Sequence, residues 1–283
     1  MCRGDIMKKR VSFKLVVIYF TLFLYVSSKS YGSFENATIG ARYCGMGRTS
    51  VGFVDTPEAI YLNPAGLALG NDLSLSGYIV HPYGVKEIVI AAAMMKIPVS
   101  HFMIGCGIKT YGNRQYHEKH ISLSIANCFG KHLRAGMTMH IMKLTIERYG
   151  ADSAIGCDIG LMLNIRSNIS YGFYAGNLGR SCIGGRKESI PQVLVTGLHY
   201  QPDDDSSINV DIFKDVLYPI ELRLGFEYFP ISCAGFRAGF QTSLKIFSAG
   251  FGFKFHHIDI DYGIETHPYL NASHQFSIKI KLK

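Results

Sequence analysis

Ile258-Asp259-Ile260-Asp261-Tyr262-Gly263-Ile264-Glu265, and after a turn Gln275-Phe276-Ser277-Ile278-Lys279-Ile280-Lys281-Leu282, decide how this chain is read. Apolar residues hold one parity and charged or polar residues the other. A β-strand sends successive side chains to opposite faces, so each stretch has one apolar face and one polar face. The same pattern runs backward through the last third. Leu222, Leu224, Phe226 and Tyr228 oppose Glu221, Arg223 and Glu227. Phe236, Ala238 and Phe240 oppose Arg237 and Gln241, and Phe247, Phe251, Phe253 and Phe255 oppose Ser248 and Lys254.

Composition agrees with strands that meet lipid. Charged residues make up 18% of the 283-residue chain, below the roughly 25% usual for soluble domains. Mean hydropathy is +0.14. There are 17 Tyr, 18 Phe and no Trp. No apolar run reaches the ~20 residues a spanning helix needs. The apolar content is therefore distributed over strands.

The N-terminus reads as an export signal over residues 1–32, with Lys8, Lys9, Arg10 and Lys14 before the apolar segment Leu15–Val26. Small residues for cleavage follow at Ser28-Lys29-Ser30 or Ser30-Tyr31-Gly32. The alternative is an uncleaved anchor. Much of the formal net charge of +8 lies in this leader, which leaves little electrostatic support for a nucleic-acid partner. Six cysteines follow the leader, widely scattered and with no C-x-x-C pair, so they form neither a disulfide framework nor a zinc arrangement.

Residues 33–71 lack alternation and are read as a separate segment. Thr56 with Pro57, and Asn63 with Pro64, each place a capping residue before a proline suited to the first helical position. From residue 72 the chain reads as 14 strands: 72–80, 87–95, 101–110, 117–129, 133–146, 154–165, 169–178, 190–200, 207–213, 220–229, 233–243, 246–255, 257–266 and 273–282. Lys96-Ile97-Pro98, Tyr111-Gly112-Asn113, Arg166-Ser167-Asn168 and the run Pro202–Asp205 read as breakers. Loops are placed at Glu147–Ser153 and Gly179–Ser189.

The fold class expected is all-β, a transmembrane antiparallel barrel over 72–283. Closure removes the exposed edges that so many strands would otherwise leave. A secreted β-sandwich is the rival, since parity alone does not say which face is outside. In a barrel, Arg223, Glu227, Arg237, Lys254, Asp259, Asp261, Lys279 and Lys281 line the interior, and the last hairpin pairs Lys279 and Lys281 with Asp259 and Asp261. Tyr78, Tyr149, Tyr174, Tyr200, Tyr228 and Tyr269 are candidates for an interfacial girdle.

Other chemistries find little support. Gly45-Met46-Gly47 lacks the third glycine and βαβ context of a dinucleotide loop. His117 and His120 fall on opposite strand faces, and His256-His257 lies in a turn, so no metal site is assigned. Asp203-Asp204-Asp205 reads as a turn rather than a calcium loop. No Gly-x-Ser-x-Gly occurs and no triad stands out, so the chain is read as a non-enzyme without cofactor.

The stretch Gly40-Ala41-Arg42-Tyr43-Cys44-Gly45-Met46-Gly47, then Asp55 through Asn63-Pro64-Ala65-Gly66-Leu67-Ala68, resembles the mature start of FadL-like and PorV/PorQ-like outer-membrane barrels. The resemblance implies a Gram-negative-type outer-membrane location and a 14-stranded barrel whose lumen is plugged by an N-terminal hatch. That hatch would be residues 33–71, with Asn63, Pro64 and Ala65 in it. It also implies the bilayer and the barrel assembly machinery as partners, and passive transport of hydrophobic, fatty-acid-type small molecules. The other branch implies an adaptor that meets type IX secretion-system proteins. From charge alone, Arg42 is a candidate latch to a lumenal carboxylate such as Asp259 or Asp261.

Overall fold

A computed structural model describes residues 33–34, 38–185 and 188–282. The expected leader at 1–32 lies outside them. Two short helices, α1 (Ala41–Gly45) and α2 (Ala59–Leu62), and a 3-10 turn at Pro64–Ala68 precede the strands. These are β1 (Ser74–His81), β2 (Val89–Val99), β3 (Phe102–Gly112), β4 (Tyr116–Phe129), β5 (Leu133–Ile146), β6 (Gly150–Arg166) and β7 (Ile169–Gly176). A two-residue hairpin, β8 (Cys182–Ile183) and β9 (Glu188–Ser189), interrupts the series. Then come β10 (Val193–Tyr200), β11 (Ser206–Asp215), β12 (Glu221–Ile231), β13 (Ala234–Gln241), β14 (Ile246–Phe255), β15 (Ile258–Glu265) and β16 (Ser273–Lys281).

All strands except β8 and β9 form one closed antiparallel barrel of 14 strands. Closure is made by β16 against β1, in register from Ser74 opposite Lys281 to His81 opposite His274. No helix of the described residues is long and apolar enough to cross a membrane.

The orientation of the faces excludes the sandwich. Along β12, Glu221, Arg223, Gly225 and Glu227 are buried, while Leu222, Leu224, Phe226 and Tyr228 are exposed. Along β16, Ser273, Gln275, Ser277 and Lys279 are buried, while Phe276 and Ile278 are exposed. Phe226 is 44% exposed and Phe255 70%. Each large apolar side chain left in water forgoes ~1.5–3 kcal/mol. A dozen would outweigh the ~5–15 kcal/mol that holds a typical domain together. The outer face is therefore a lipid face, and the fold is that of a membrane barrel.

Inside, the N-terminal segment packs on the walls. α1 lies against β13 to β16, and the 3-10 turn lies against β3 to β6. Ile39, Tyr43, Val54, Ile60 and Leu67 form its apolar core with Tyr78, Met94 and Met162 of the barrel. Glycines on the inner parity let the backbones meet. A Cβ at Gly172 would overlap the Val51 carbonyl, and one at Gly239 would overlap the Gly47 amide.

Several local expectations are corrected. Lys96-Ile97-Pro98 is not a break: β2 runs to Val99, with Pro98 opposite Met103. β1 no longer accompanies β2 beyond Lys96, so a residue without an N–H is tolerated on that open side. The Glu147–Ser153 loop is shorter than read, because β6 starts at Gly150 and pairs with Ile146. The Gly179–Ser189 loop contains β8 and β9. α2 begins at Ala59 with Glu58 in the capping position and no side-chain cap, so Thr56 does not cap it. Asn63 does cap the 3-10 turn, accepting from the Ala65 N–H with Pro64 in first place. Tyr78 and Tyr174 are not girdle residues. Both are buried, with hydroxyls bonded to Gln275 (2.5 Å) and Asp158 (2.6 Å).

Candidate functional site

Arg42, Glu227, Arg237, Asp259, Asp261 and Lys279 converge on one interior wall. Arg42 projects from α1 and meets Glu227 in a bidentate pair, Nε to Oε1 at 2.9 Å and Nη2 to Oε2 at 2.6 Å. Its Nη1 donates to Asp55 at 2.9 Å. Glu227 also receives Arg237 Nε at 2.7 Å, and Arg237 pairs with Asp261 at 2.8 Å. Asp259 is held by Lys279 at 2.6 Å, directly across the last hairpin. Arg42 therefore reaches neither Asp259 nor Asp261. Strand register gives both to barrel cations, and Glu227 is the carboxylate left facing α1.

Two further residues stand apart from that chain of charges. Arg223 pairs with Glu221 on its own strand and lies 3.7 Å from the Phe213 ring centre. Lys281 is exposed at the end of β16 and takes part in none of the ion pairs formed among the described residues, contrary to its expected place in the network. Asn63, Pro64 and Ala65 are buried on the opposite wall. Asn63 Nδ2 donates to the Val51 carbonyl at 2.8 Å and the Leu161 carbonyl at 3.3 Å.

Sequence reading missed several anchors because their partners lie far along the chain. Arg48 pairs with Glu265 at 2.8 Å. The amides of Ser50 and Val51 donate to Asp211 Oδ2 at 2.8 and 3.1 Å. Lys96, fully buried, donates to the Leu69 carbonyl at 2.5 Å and to Asp72 at 3.0 Å. The usable signal was a charged residue on the inner parity of a strand. That flags Lys96, Asp211 and Glu265 without naming their partners.

Within the segment, electrostatics differ from residue to residue. Burial pushes the Asp55 carboxyl upward, but the cations Arg42 and Lys279 outweigh it and hold it well below the usual carboxylate range. At Glu58 the balance is reversed, because burial outweighs the pull of Lys279. Burial raises its carboxyl, Ser76 donates to Oε1, and Oε2 has no hydrogen-bond partner among the described residues. Burial pushes the Cys44 thiol up to about 12, which makes it a poor nucleophile. All six cysteines of the described residues are free.

A second polar chain crosses β4 to β7. Ser122 Oγ lies 2.7 Å from His140 Nδ1, and His140 Nε2 lies 2.8 Å from Asp158 Oδ2. The nitrogens are used in the reverse order of a hydrolase relay. Asp158 also accepts from Tyr174 Oη at 2.6 Å and the Asn177 N–H at 2.8 Å. It is a satisfied cross-strand ladder.

Two cavities flank these groups. The larger, about 370 Å³, opens at the barrel end remote from Ser74 and Lys281, between the turns at Pro82, Leu244 and His267. Tyr78, Ile90, Tyr111 and Ile246 supply its apolar surface, and Arg48, Lys109, Glu118 and Glu265 its charge. A smaller chamber of about 70 Å³ lies beside Tyr61, His120, His140 and Asp158. Lys109 lines both.

No family model and no curated protein matches the chain. Its fold is similar to solved structures. The Ralstonia pickettii toluene transporter TbuX aligns over 86% of this chain and 98% of its own, with TM-score 0.67 and 13% identity. The CymD monoaromatic hydrocarbon channel aligns over 88% and 99%, with TM-score 0.67 and 14% identity. A Pseudomonas aeruginosa FadL homologue aligns over 89% and 100%, with TM-score 0.64 and 11% identity. At such identities the likeness is one of fold.

Proposed function

We propose that this protein is an outer-membrane channel for the passive transport of hydrophobic small molecules. The observation that carries the reading is a lipid-faced barrel with a half-apolar mouth cavity of about 370 Å³ above a packed interior segment. That its structural neighbours include a toluene transporter and a monoaromatic hydrocarbon channel supports the same reading. Residues 1–32 act as the export signal, 33–71 as the hatch and 72–283 as the barrel. No nucleotide or cofactor is needed, because the solute moves down its gradient.

The hatch gates by local shift. Ejecting it would strip Ile39, Tyr43, Val54, Ile60 and Leu67 of their packing, ~1.5–3 kcal/mol each. It would also break the buried Arg42–Glu227 pair, another ~3–5 kcal/mol. Together these exceed what a passive gate can spend. A displacement confined to the side chains under the mouth cavity is far less costly. No observation favours the secretion-adaptor role.

The test is uptake of radiolabelled toluene into vesicles with a lipopolysaccharide outer leaflet. Vesicles holding the protein should fill at least about tenfold faster than empty ones. Equal rates would overturn the proposal.

A further inference from the structure

Two residues that line the small chamber carry buried polar atoms left unpartnered among the described residues. Tyr61 and His120 are each only 8% exposed. Among the described residues, Tyr61 Oη and His120 Nε2 have no hydrogen-bond partner. Tyr61 Oη approaches Ser122 without the geometry of a hydrogen bond, and Ser122 Oγ itself meets His140 Nδ1 at 2.7 Å. Buried polar groups are nearly always paired, so two orphans lining one chamber mark a place for something that hydrogen-bonds.

The groups around them are close together. The Tyr61 and His140 ring centres are 6.0 Å apart, and those of His120 and His140 6.2 Å. Lys109 Nζ stands 5.4 Å from the Tyr61 ring centre. The Phe34 ring packs edge-on to His120 at 4.9 Å. Phe34, Met142, Ile190 and Val193 supply an apolar wall. From the rest of the surroundings, Asp158 and Tyr174 face the chamber already bonded to each other.

Charge narrows the ligand. The Lys109 ammonium already has the carboxylates of Glu118 and Asp158 as electrostatic neighbours. A carboxylate ligand would bring a third negative charge to that one cation. A hydrocarbon would leave both orphans unpaired. A hydroxyl suits both, because it donates and accepts at once, whichever tautomer His120 adopts. The chamber, at about 70 Å³, admits a hydroxyl and its first carbons rather than a whole molecule. Lys109 borders the larger mouth cavity, where Tyr78 and Tyr111 can take the apolar body.

We propose that Tyr61 and His120 form a headgroup subsite for neutral hydroxyl-bearing hydrophobic molecules, of the phenol or alcohol class, inside the barrel. This rests on the transport reading and deepens it: the channel selects for a hydroxyl rather than for apolarity alone. The hydroxyl accepts from Tyr61 Oη and bridges to His120 Nε2, its first carbons lie on the apolar wall, and the rest of the hydrocarbon extends past Lys109 into the mouth cavity.

The probes are phenol and toluene, which differ by a hydroxyl in place of a methyl. Uptake of each is measured in the vesicles described above for wild type, Tyr61→Phe and His120→Leu, all checked for heat-modifiable migration as folded barrels. Tyr61→Phe removes only the hydroxyl and keeps the ring in the core. Wild type should saturate with phenol at about tenfold lower concentration than with toluene. Each variant should raise the phenol value about tenfold and leave toluene within twofold. If toluene enters but neither variant changes phenol, the subsite is overturned and the channel stands. A chamber that holds water only gives that same result. If neither solute enters, transport fails, and equilibrium dialysis of phenol against detergent-solubilised protein decides the subsite: about tenfold weaker binding in both variants supports it, and equal binding overturns it.

Discussion

Replacing Glu227 by alanine tests the electrostatic hold on the N-terminal segment. Glu227 is 4% exposed and carries three charge-assisted bonds, two to Arg42 and one to Arg237. Its removal leaves Arg42 with Asp55 alone and Arg237 with Asp261 alone. Breaking one partner out of a buried pair costs ~3–5 kcal/mol. The surviving carboxylates Asp55 and Asp261 place this site at the lower end, about 3 kcal/mol. Local opening of the segment should then rise about 150-fold. Hydrogen exchange of the amides of residues 41–48 reads this directly, because those amides exchange only when α1 leaves the wall. A double-mutant cycle with Arg42→Met separates the pair from general damage. The coupling should reach ~1.5 kcal/mol or more, against ~0.3–0.5 kcal/mol for independent sites. Coupling below that threshold, or exchange within threefold of wild type, would refute the claim that this pair anchors α1.

Other outcomes follow from the same geometry. Gly239→Val should drive α1 off the wall and expose Arg48 to trypsin, whereas Gly77→Val, whose added Cβ meets Ile278 at an ordinary 3.5 Å, should not. Leu224→Arg on the outer face should cost ~2–4 kcal/mol of barrel stability in urea titration of vesicle-inserted protein; no loss would mean that Leu224 does not face lipid. The Asp55 carboxyl is depressed in the fold, so its contribution is present above the ordinary value of ~3.9 and lost as pH falls through the depressed one. The Glu58 carboxyl is raised, so its share is full below the ordinary ~4.3 and lost as pH rises through the raised value. Glu58→Gln should therefore slow exchange of the segment at pH 7 and leave it unchanged near pH 4. Reductant should not alter gel migration of the folded barrel, since all six cysteines of the described residues are free.

Much of the barrel was legible in local pattern. The strand read at 133–146 matches β5 and that at 246–255 matches β14, because parity and turn residues are short-range properties. Lys96 was misread as part of a breaker because Pro98 dominates the local signal, while the burial of its ammonium depends on Leu69 and Asp72. Tyr78 and Tyr174 look like girdle residues by composition. Their hydroxyls turn inward because Gln275 and Asp158 arrive from other strands.

Alternation alone establishes that the chain makes two-faced strands and how many. It is blind to which face is outside, since a sandwich and a barrel both require one apolar side. Closure of β16 on β1 settles that, by enclosing the polar parity and leaving the apolar one without any protein to cover it. Ion partners are likewise a matter of register around the ring. Arg42 and Glu227 lie 185 residues apart, and no periodicity in a linear chain encodes a meeting across the lumen.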